Sequence, residues 1–155
     1  MKWFLPLFLI LTCAFSGCSK KEPEKEGSNT NYEEPHYNEV EDLHIHWDSL
    51  FNQLDDKYYA YVYAVTCTPC SYLREKVTSV AKSGKIKLYF VDPNDDIPFT
   101  EDMDLAMSSL GKEKVEDVYC YSTPTLIEIT NKVVTLYTRD YYEIDNFLDS
   151  VGKKS

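Results

Sequence analysis

Two cysteines, Cys67 and Cys70, lie at the junction between a β-prone run and a helical pattern. The run before them, residues 58–65, has no polar alternation, which is typical of a central strand buried on both faces. The residues after them, 71–84, carry apolar side chains at three- and four-residue steps and end in Ser-Gly, which predicts a helix. By its spacing alone, the pair could be a redox pair, half of a metal site or a structural staple.

The remaining elements complete an α/β pattern. A second β-prone run, residues 86–91, follows the helix and predicts a β-α-β unit with parallel strands. Further along, the pattern predicts a helix over 101–110 and a β-hairpin over 126–137, so that the sheet is mixed. A short edge strand is predicted over 43–46 and a helix over 47–54. The last helix has one apolar face, formed by Ile144, Phe147, Leu148 and Val151.

This order of elements, with Cys67-Thr68-Pro69-Cys70 after the first main strand, resembles the thioredoxin-like family. The segment Ser122-Thr123-Pro124-Thr125-Leu126, just before the hairpin, looks like the family's cis-proline loop, and the hairpin and C-terminal helix follow as the family requires. The resemblance covers roughly residues 40–152. It implies a central mixed sheet of about four to five strands flanked by helices, and the activity of a thiol–disulfide oxidoreductase.

The chemistry of disulfide exchange assigns the two cysteines different roles. The attacking species is a thiolate, and the start of a helix stabilises negative charge, so Cys67 is the expected nucleophile. Cys70, one turn further along, is placed to attack Cys67 in a mixed disulfide and to release the reduced partner. The resemblance implies the same assignment, and the reaction needs no cofactor.

Four further residues are expected to contact the substrate. Thr68 and Pro69 lie between the cysteines, where the resemblance implies that they tune the redox potential; a proline before the second cysteine favours a reductase. Pro124 is expected to be cis and to present the backbone of Thr123 beside Cys67, where a substrate strand can pair with it. A disulfide oxidase or isomerase of the same fold stays an alternative.

The sequence departs from thioredoxin itself at two positions. Thioredoxin carries a buried acidic residue six positions before the first cysteine, where this chain has Tyr61. It carries a tryptophan directly before the motif, where this chain has Thr66. The acid that would activate the second cysteine is therefore absent from its usual position, and the sequence leaves open which group replaces it.

Two other functions are compatible with parts of the sequence. A copper- or zinc-binding lipoprotein would use Cys67 and Cys70, with Cys120 or a histidine as a further ligand. No histidine follows Cys70, so no metal site is predicted, and Cys120 is expected to be a small buried core residue. A non-catalytic binding module could use the 13 tyrosines as an aromatic surface, although strands favour tyrosine in any case.

The N-terminus has the pattern of an exported, lipid-anchored protein. Residues 1–17 form a signal-peptide pattern, and Phe15-Ser16-Gly17-Cys18 resembles a bacterial lipobox, which makes Cys18 the expected lipidation site. Residues 18–38 are polar and are expected to be a disordered tether, with the folded domain at 39–155. The location would be extracytoplasmic, at the bacterial cell membrane.

The expected partners are exported protein thiols or disulfides and a membrane or extracytoplasmic redox partner. A net charge of −10 argues against nucleic acid.

Overall fold

The computed structural model describes residues 37–153, which contain a five-stranded mixed sheet with helices on both faces. The strands are β1 (His44–Ile45), β2 (Lys57–Val62), β3 (Leu88–Val91), β4 (Thr125–Thr130) and β5 (Val133–Thr138). The α-helices are α1 (Thr68–Ser83), α2 (Met103–Met107) and α3 (Tyr141–Lys153). Three short 3₁₀ helices are Asn38–Leu43, Trp47–Ser49 and Val115–Asp117. The signal peptide, Cys18 and nearly all of the tether that the sequence predicts lie outside the described residues.

The strand order is β1-β3-β2-β4-β5, which makes β2 the strand buried most deeply in the sheet. It pairs in parallel with β3 and antiparallel with β4, so that Tyr61 lies between Phe90 on one side and Leu126 on the other. All but the first residue of β2 are buried. This confirms the predicted mixed sheet and the central strand buried on both faces, although the strand ends at Val62, three residues earlier than its β-prone run.

The sheet separates two apolar cores. Odd-numbered residues of the central strand, Tyr59 and Tyr61, face α1 and α3, and we call this layer the α1-side core. Even-numbered residues, Tyr58, Ala60 and Val62, face α2 and the 3₁₀ helices at Trp47–Ser49 and Val115–Asp117, and we call this layer the α2-side core. Because successive side chains of a strand point to opposite faces, one uninterrupted run of apolar residues contributes to both cores.

Helix α1 follows the sequence closely at both ends. Cys67 is its N-cap residue and Pro69 lies in its first turn, where a missing backbone N–H costs nothing. Its C-cap is Gly84, in the left-handed region with φ 65°, a conformation that glycine adopts without a Cβ clash. The predicted apolar face is confirmed, because Leu73, Val77 and Val80 are all buried.

The helix predicted over residues 47–54 is wrong beyond its first turn. Only Trp47–Ser49 is helical, of the 3₁₀ type, and Leu54 is fully exposed. The segment closes i→i+3 hydrogen bonds, and the Tyr58 hydroxyl donates to the Leu50 carbonyl oxygen over 2.6 Å. That carbonyl is one an α-helix would have needed, so the packing of Tyr58 and Trp47 overrides the helical pattern.

Two other boundaries differ from prediction. The helix predicted over 101–110 is only Met103–Met107, capped by the Asp102 side chain, and Met107 and Leu110 are 40% and 43% exposed rather than inward. The backbone N–H of Gly111 donates to the carbonyl oxygen of Val134 in β5, so the chain pairs with β5 here and does not continue as a helix.

The start of the folded domain also differs from prediction. Tyr37, which the sequence assigned to the tether, is 3% exposed, so the folded domain includes at least Tyr37 and Asn38.

The hairpin and the last helix agree with the sequence. Strands β4 and β5 are joined by Asn131 and Lys132, both with positive φ, as a two-residue hairpin turn requires. Helix α3 buries Ile144, Leu148 and Val151 against the α1-side core. In residues 37–153 no helix is long and apolar enough to cross a membrane.

Candidate redox site

The two cysteines of the motif form a disulfide at the start of α1. Their Cα atoms lie 5.2 Å apart, across one helical turn. The Cys67 sulfur accepts a hydrogen bond from the backbone N–H of Cys70 over 3.2 Å, so it caps the helix N-terminus in the way a serine or aspartate side chain would. A thiolate at Cys67 would keep that donor and gain the favourable potential of the helix end.

The cysteines differ sharply in exposure. Cys67 is partly exposed, whereas Cys70 has no exposed surface and belongs to the α1-side core. Thr68 and Pro69, which lie between them, are exposed. An approaching disulfide can therefore reach Cys67 and the two middle residues, while Cys70 can be reached only through Cys67. This asymmetry fits the predicted roles of nucleophile and resolving cysteine.

The sheet register brings the predicted cis-proline loop to the same end of the molecule. Val62, the last residue of β2, pairs with Thr125, the first residue of β4. Pro124 therefore lies at the end of the sheet where β2 stops and the chain continues to Cys67. The Thr123–Pro124 peptide bond is cis, in agreement with the prediction. Pro124 is buried and Thr123 partly exposed. The Thr125 hydroxyl donates to the Ser122 carbonyl oxygen over 2.7 Å and holds the loop.

Three tyrosines lie under the first turn of α1. We call Tyr37, Tyr61 and Tyr63 the tyrosine cluster; all three belong to the α1-side core that holds Cys70. The Tyr37 ring lies with its centre 4.1 Å from that of Tyr63 and 6.3 Å from that of Tyr61. The Tyr37 hydroxyl donates to the backbone carbonyl oxygen of Cys70 over 3.1 Å. The cluster is thus tied directly to the resolving cysteine.

Burial keeps these phenols neutral. Desolvation raises the pKa of Tyr37 to about 12, and it raises the pKa values of Tyr61 and Tyr63 still further above the ordinary range. The Tyr63 hydroxyl has a partner, since it lies 2.9 Å from Nε2 of His44. The Tyr61 hydroxyl forms no hydrogen bond with any described residue. Neutral tyrosines can donate hydrogen bonds but cannot act as bases at neutral pH.

Sequence reasoning missed Tyr37 altogether, because a tyrosine between a polar segment and Asn38 carries no periodic signal. It flagged Tyr61 only as a departure from the family pattern. The signal that pointed toward the cluster is the i, i+2 spacing of Tyr59, Tyr61 and Tyr63, which places Tyr59 and Tyr61 on one face of β2 and Tyr63, one residue past its end, in the same core.

Cys120, the third cysteine of the described residues, lies on the other face of the sheet. Cys120 is a free thiol with no exposed surface, and it packs in the α2-side core, on the opposite face of the sheet from Cys70. Burial raises its pKa to about 12. The expectation of a small buried core residue therefore agrees with the structure, and Cys120 joins the motif neither as a third redox thiol nor as a third metal ligand.

The two described histidines form their hydrogen bonds with groups other than the motif sulfurs. His44 lies in β1 and is held between the Val40 carbonyl and the Tyr63 hydroxyl. His46 pairs with Asp95 over 2.9 Å, and its ring lies with the carboxylates of Asp95 and Asp92 within 4.8 Å, a spacing that a metal ion could bridge. These carboxylates are already engaged locally: Asp95 accepts from the Trp47 backbone and Asp92 from Asn94.

Comparison with known proteins gives structural neighbours and no relatives by sequence. No family model and no curated protein sequence matches the chain. Among solved structures, mitochondrial thioredoxin 3 from Saccharomyces cerevisiae is similar at 15% identity and a TM-score of 0.44, over 70% of this chain and 93% of its own. Thioredoxin f2 from Chlamydomonas reinhardtii has the same identity and TM-score, over 70% and 94%. Spinach chloroplast thioredoxin f is 16% identical with a TM-score of 0.46, over 71% and 83%.

The class of fold is defined by this chain's own geometry. The element order β-α-β-α-β-β-α from β2 onward, the five-stranded mixed sheet, the cysteine pair at the start of α1 and the cis proline before β4 together constitute a thioredoxin-like fold. The predicted fold class is therefore confirmed.

Proposed function

We propose that this chain is a thiol–disulfide oxidoreductase that works through Cys67 and Cys70. The observation that carries the proposal is the position of Cys67: its sulfur caps the N-terminus of α1 and is partly exposed, while its disulfide partner is fully buried. A structural staple between residues three positions apart would constrain very little chain. An exposed, helix-capped sulfur next to a buried one suits disulfide exchange.

The reaction balances with two thiols and one disulfide. In the reductive direction, the Cys67 thiolate attacks a substrate disulfide, forms a mixed disulfide and expels the first substrate thiolate. Cys70 then loses its proton and attacks the Cys67 sulfur, which forms the Cys67–Cys70 disulfide and expels the second substrate thiolate. The substrate gains two electrons, and a dithiol donor must later return two electrons to the protein. We assign substrate contact to Thr68 and Pro69, which follow Cys67 in the chain, and to the Thr123 backbone, which lies at the same end of the sheet.

The direction that we favour is reduction, because Pro69 precedes the second cysteine. The substrates would be disulfides of exported proteins, and the donor a membrane or extracytoplasmic redox protein. Oxidation or isomerisation uses the same residues with the electron flow reversed or neutral. The measured potential of the pair separates them: a value near about −270 mV supports a reductase, and one near about −120 mV an oxidant.

Trapping tests the exchange itself. In Cys70→Ser the mixed disulfide at Cys67 cannot be resolved, so protein partners should accumulate as covalent adducts that dithiothreitol releases. Cys67→Ser, the matched control, should trap none, and Cys120→Ser should leave exchange as in the wild type. If Cys70→Ser captures no more partner than Cys67→Ser, and the wild type fails to reduce insulin, the proposed activity is wrong and a non-catalytic role for this fold takes its place.

We also propose that the domain is tethered to the outer face of a bacterial cell membrane through Cys18. The support comes from the sequence alone: the signal-peptide pattern at 1–17, the Ser-Gly-Cys ending and the polar segment that follows. The wild-type protein expressed in a bacterium should incorporate labelled palmitate and fractionate with membranes. Cys18→Ser should lose the label and Cys13→Ser should keep it. Equal labelling of both variants would contradict the assignment of Cys18.

A further inference from the structure

The Tyr61 hydroxyl is a buried polar group that lacks a hydrogen bond in the disulfide form. Tyr61 has no exposed surface, and no residue in 37–153 offers its hydroxyl a hydrogen bond. The Tyr37 hydroxyl is close enough to raise the pKa of Tyr61, but the two hydroxyls do not meet hydrogen-bond geometry, and Tyr37 donates its own proton to the Cys70 carbonyl oxygen. An unsatisfied buried hydroxyl costs about 1–3 kcal/mol, so its retention calls for a physical reason.

The position of Tyr61 suggests that reason. It lies on the face of β2 that α1 covers, in the same core as Cys70, and Tyr37 links the two, with its ring beside Tyr61 and its hydroxyl on Cys70. When the disulfide opens, a second polar group appears in this core: the Cys70 thiol. The thiol must lose its proton before it can attack, and burial opposes that loss, as it does at Cys120, where the pKa rises to about 12.

No buried carboxylate of residues 37–153 is available to help. The buried polar residues of the described chain are Thr78, Ser109 and Thr125, apart from the tyrosines, and the α1-side core contains no acid. The titratable and charged groups that face Tyr61 or its two tyrosine neighbours are Tyr37, Tyr63, Arg74, His44 and Asp92. The contributions of β4 and α3 to this core, Leu126, Ile144 and Leu148, are apolar.

We propose that the Tyr61 hydroxyl donates a hydrogen bond to the Cys70 sulfur once the disulfide opens, and thereby stabilises the Cys70 thiolate that resolves the mixed disulfide. The proton of the Cys70 thiol passes to solvent, the Cys70 electron pair forms the bond to Cys67, and the substrate leaves as a thiolate. The inference rests on the proposed function for its consequence in turnover, but the hydrogen bond itself exists in the reduced protein whether or not it has a substrate.

The matched pair of variants is Tyr61→Phe and Tyr59→Phe, both on the same face of the same strand. In the full chain, reduced with a phosphine, a titration of the Cys70 Cβ resonance gives its pKa directly. Tyr61→Phe should raise the Cys70 pKa by about one unit, a tenfold loss of thiolate at a given pH, since hydrogen bonds to charged groups are among the stronger ones. Tyr59→Phe should leave it unchanged. In the wild type, the Tyr61 Cζ resonance should respond as Cys70 titrates.

Kinetics supply a second measurement. With Cys67 carrying a small-molecule mixed disulfide, resolution by Cys70 near neutral pH should slow about tenfold in Tyr61→Phe, and the pH–rate profile should move to higher pH by the same unit. An unchanged Cys70 pKa in Tyr61→Phe, or an equal rise in Tyr59→Phe, would overturn the inference. Failure of wild-type exchange would instead overturn the proposed function, because the Cys70 pKa is read without any substrate.

Discussion

The hydroxyl of Tyr37 donates a hydrogen bond to the backbone carbonyl oxygen of Cys70 over 3.1 Å, and both groups are buried. The bond joins the first described residue of the chain to the first turn of α1. The two residues are 33 positions apart in sequence, so the bond holds the segment before β1 against the α1-side core. The start of the folded domain is therefore part of the support for the redox site.

Tyr37→Phe should lower the free energy of unfolding by about 1 kcal/mol, because it removes one buried hydrogen bond and keeps the ring. Denaturant unfolding of the oxidised protein measures it. Tyr72→Phe is the control, since Tyr72 lies on the same helix as Cys70 but is 71% exposed. Equal stability of the Tyr37 and Tyr72 variants would show that the bond contributes nothing.

The proline loop should depend on Thr125. This residue is fully buried, and its hydroxyl donates to the Ser122 carbonyl across the turn that contains Pro124. Thr125→Val keeps the shape but removes the donor, so we expect a loss of about 1 kcal/mol and slower exchange with protein disulfides. Thr135→Val, on the exposed side of β5, should have little effect on exchange. Unaltered exchange in Thr125→Val would separate the loop from substrate contact.

Cys120 should be inert in the folded protein. Its burial raises the pKa to about 12, so at about pH 8 almost all of it is the thiol rather than the reactive thiolate. After reduction, iodoacetamide should label Cys67 first and leave Cys120 unmodified until the protein unfolds, as peptide mass spectrometry will show. Labelling of Cys120 at the rate of Cys67 would contradict its placement in the α2-side core.

The His46–Asp95 pair should make stability depend on pH. The hydrogen bond and the charge of Asp95 raise the pKa of His46 above its ordinary value of 6.5. The raised pKa means that the charged ring stabilises the fold below about pH 6.5, and that this contribution is lost as the pH rises through the folded value. His46→Gln should therefore destabilise the protein near about pH 5.5 and less near about pH 8.5. A larger effect at the alkaline pH would reverse the sign and refute the pairing.

How much the sequence predicted depended on the range of the interactions. Helix α1, with its N-terminal Cys67 and its terminal Gly84, follows from local signals, as do the central strand and the hairpin at Asn131–Lys132. The segment 47–54 has a helical pattern, but hydrogen bonds from outside the segment decide its structure. The Tyr58 hydroxyl donates to the carbonyl oxygen of Leu50, and the Asp95 carboxylate accepts from the backbone N–H of Trp47. Sequence periodicity contains no information on such contacts.

The redox site was predictable in its chemistry and only partly in its surroundings. The motif and the proline loop identify the reacting sulfurs and the surface beside them. The floor beneath Cys70 was not predictable, because it is assembled from three separate segments that supply Tyr37, Tyr61 and His44. The register of β1, β2 and β3 places His44 and Tyr61 on either side of Phe90, and the hydrogen bond to Cys70 adds Tyr37 from the segment before β1.

The most direct test of the account is a redox equilibration of the folded protein with glutathione buffers, followed by acid quenching, thiol alkylation and mass analysis. The account predicts one two-electron transition in which Cys67 and Cys70 change together from thiols to a disulfide, with Cys120 a thiol throughout and no transition in Cys67→Ser. A pair that stays oxidised across all accessible buffers, or a transition that involves Cys120, would contradict it.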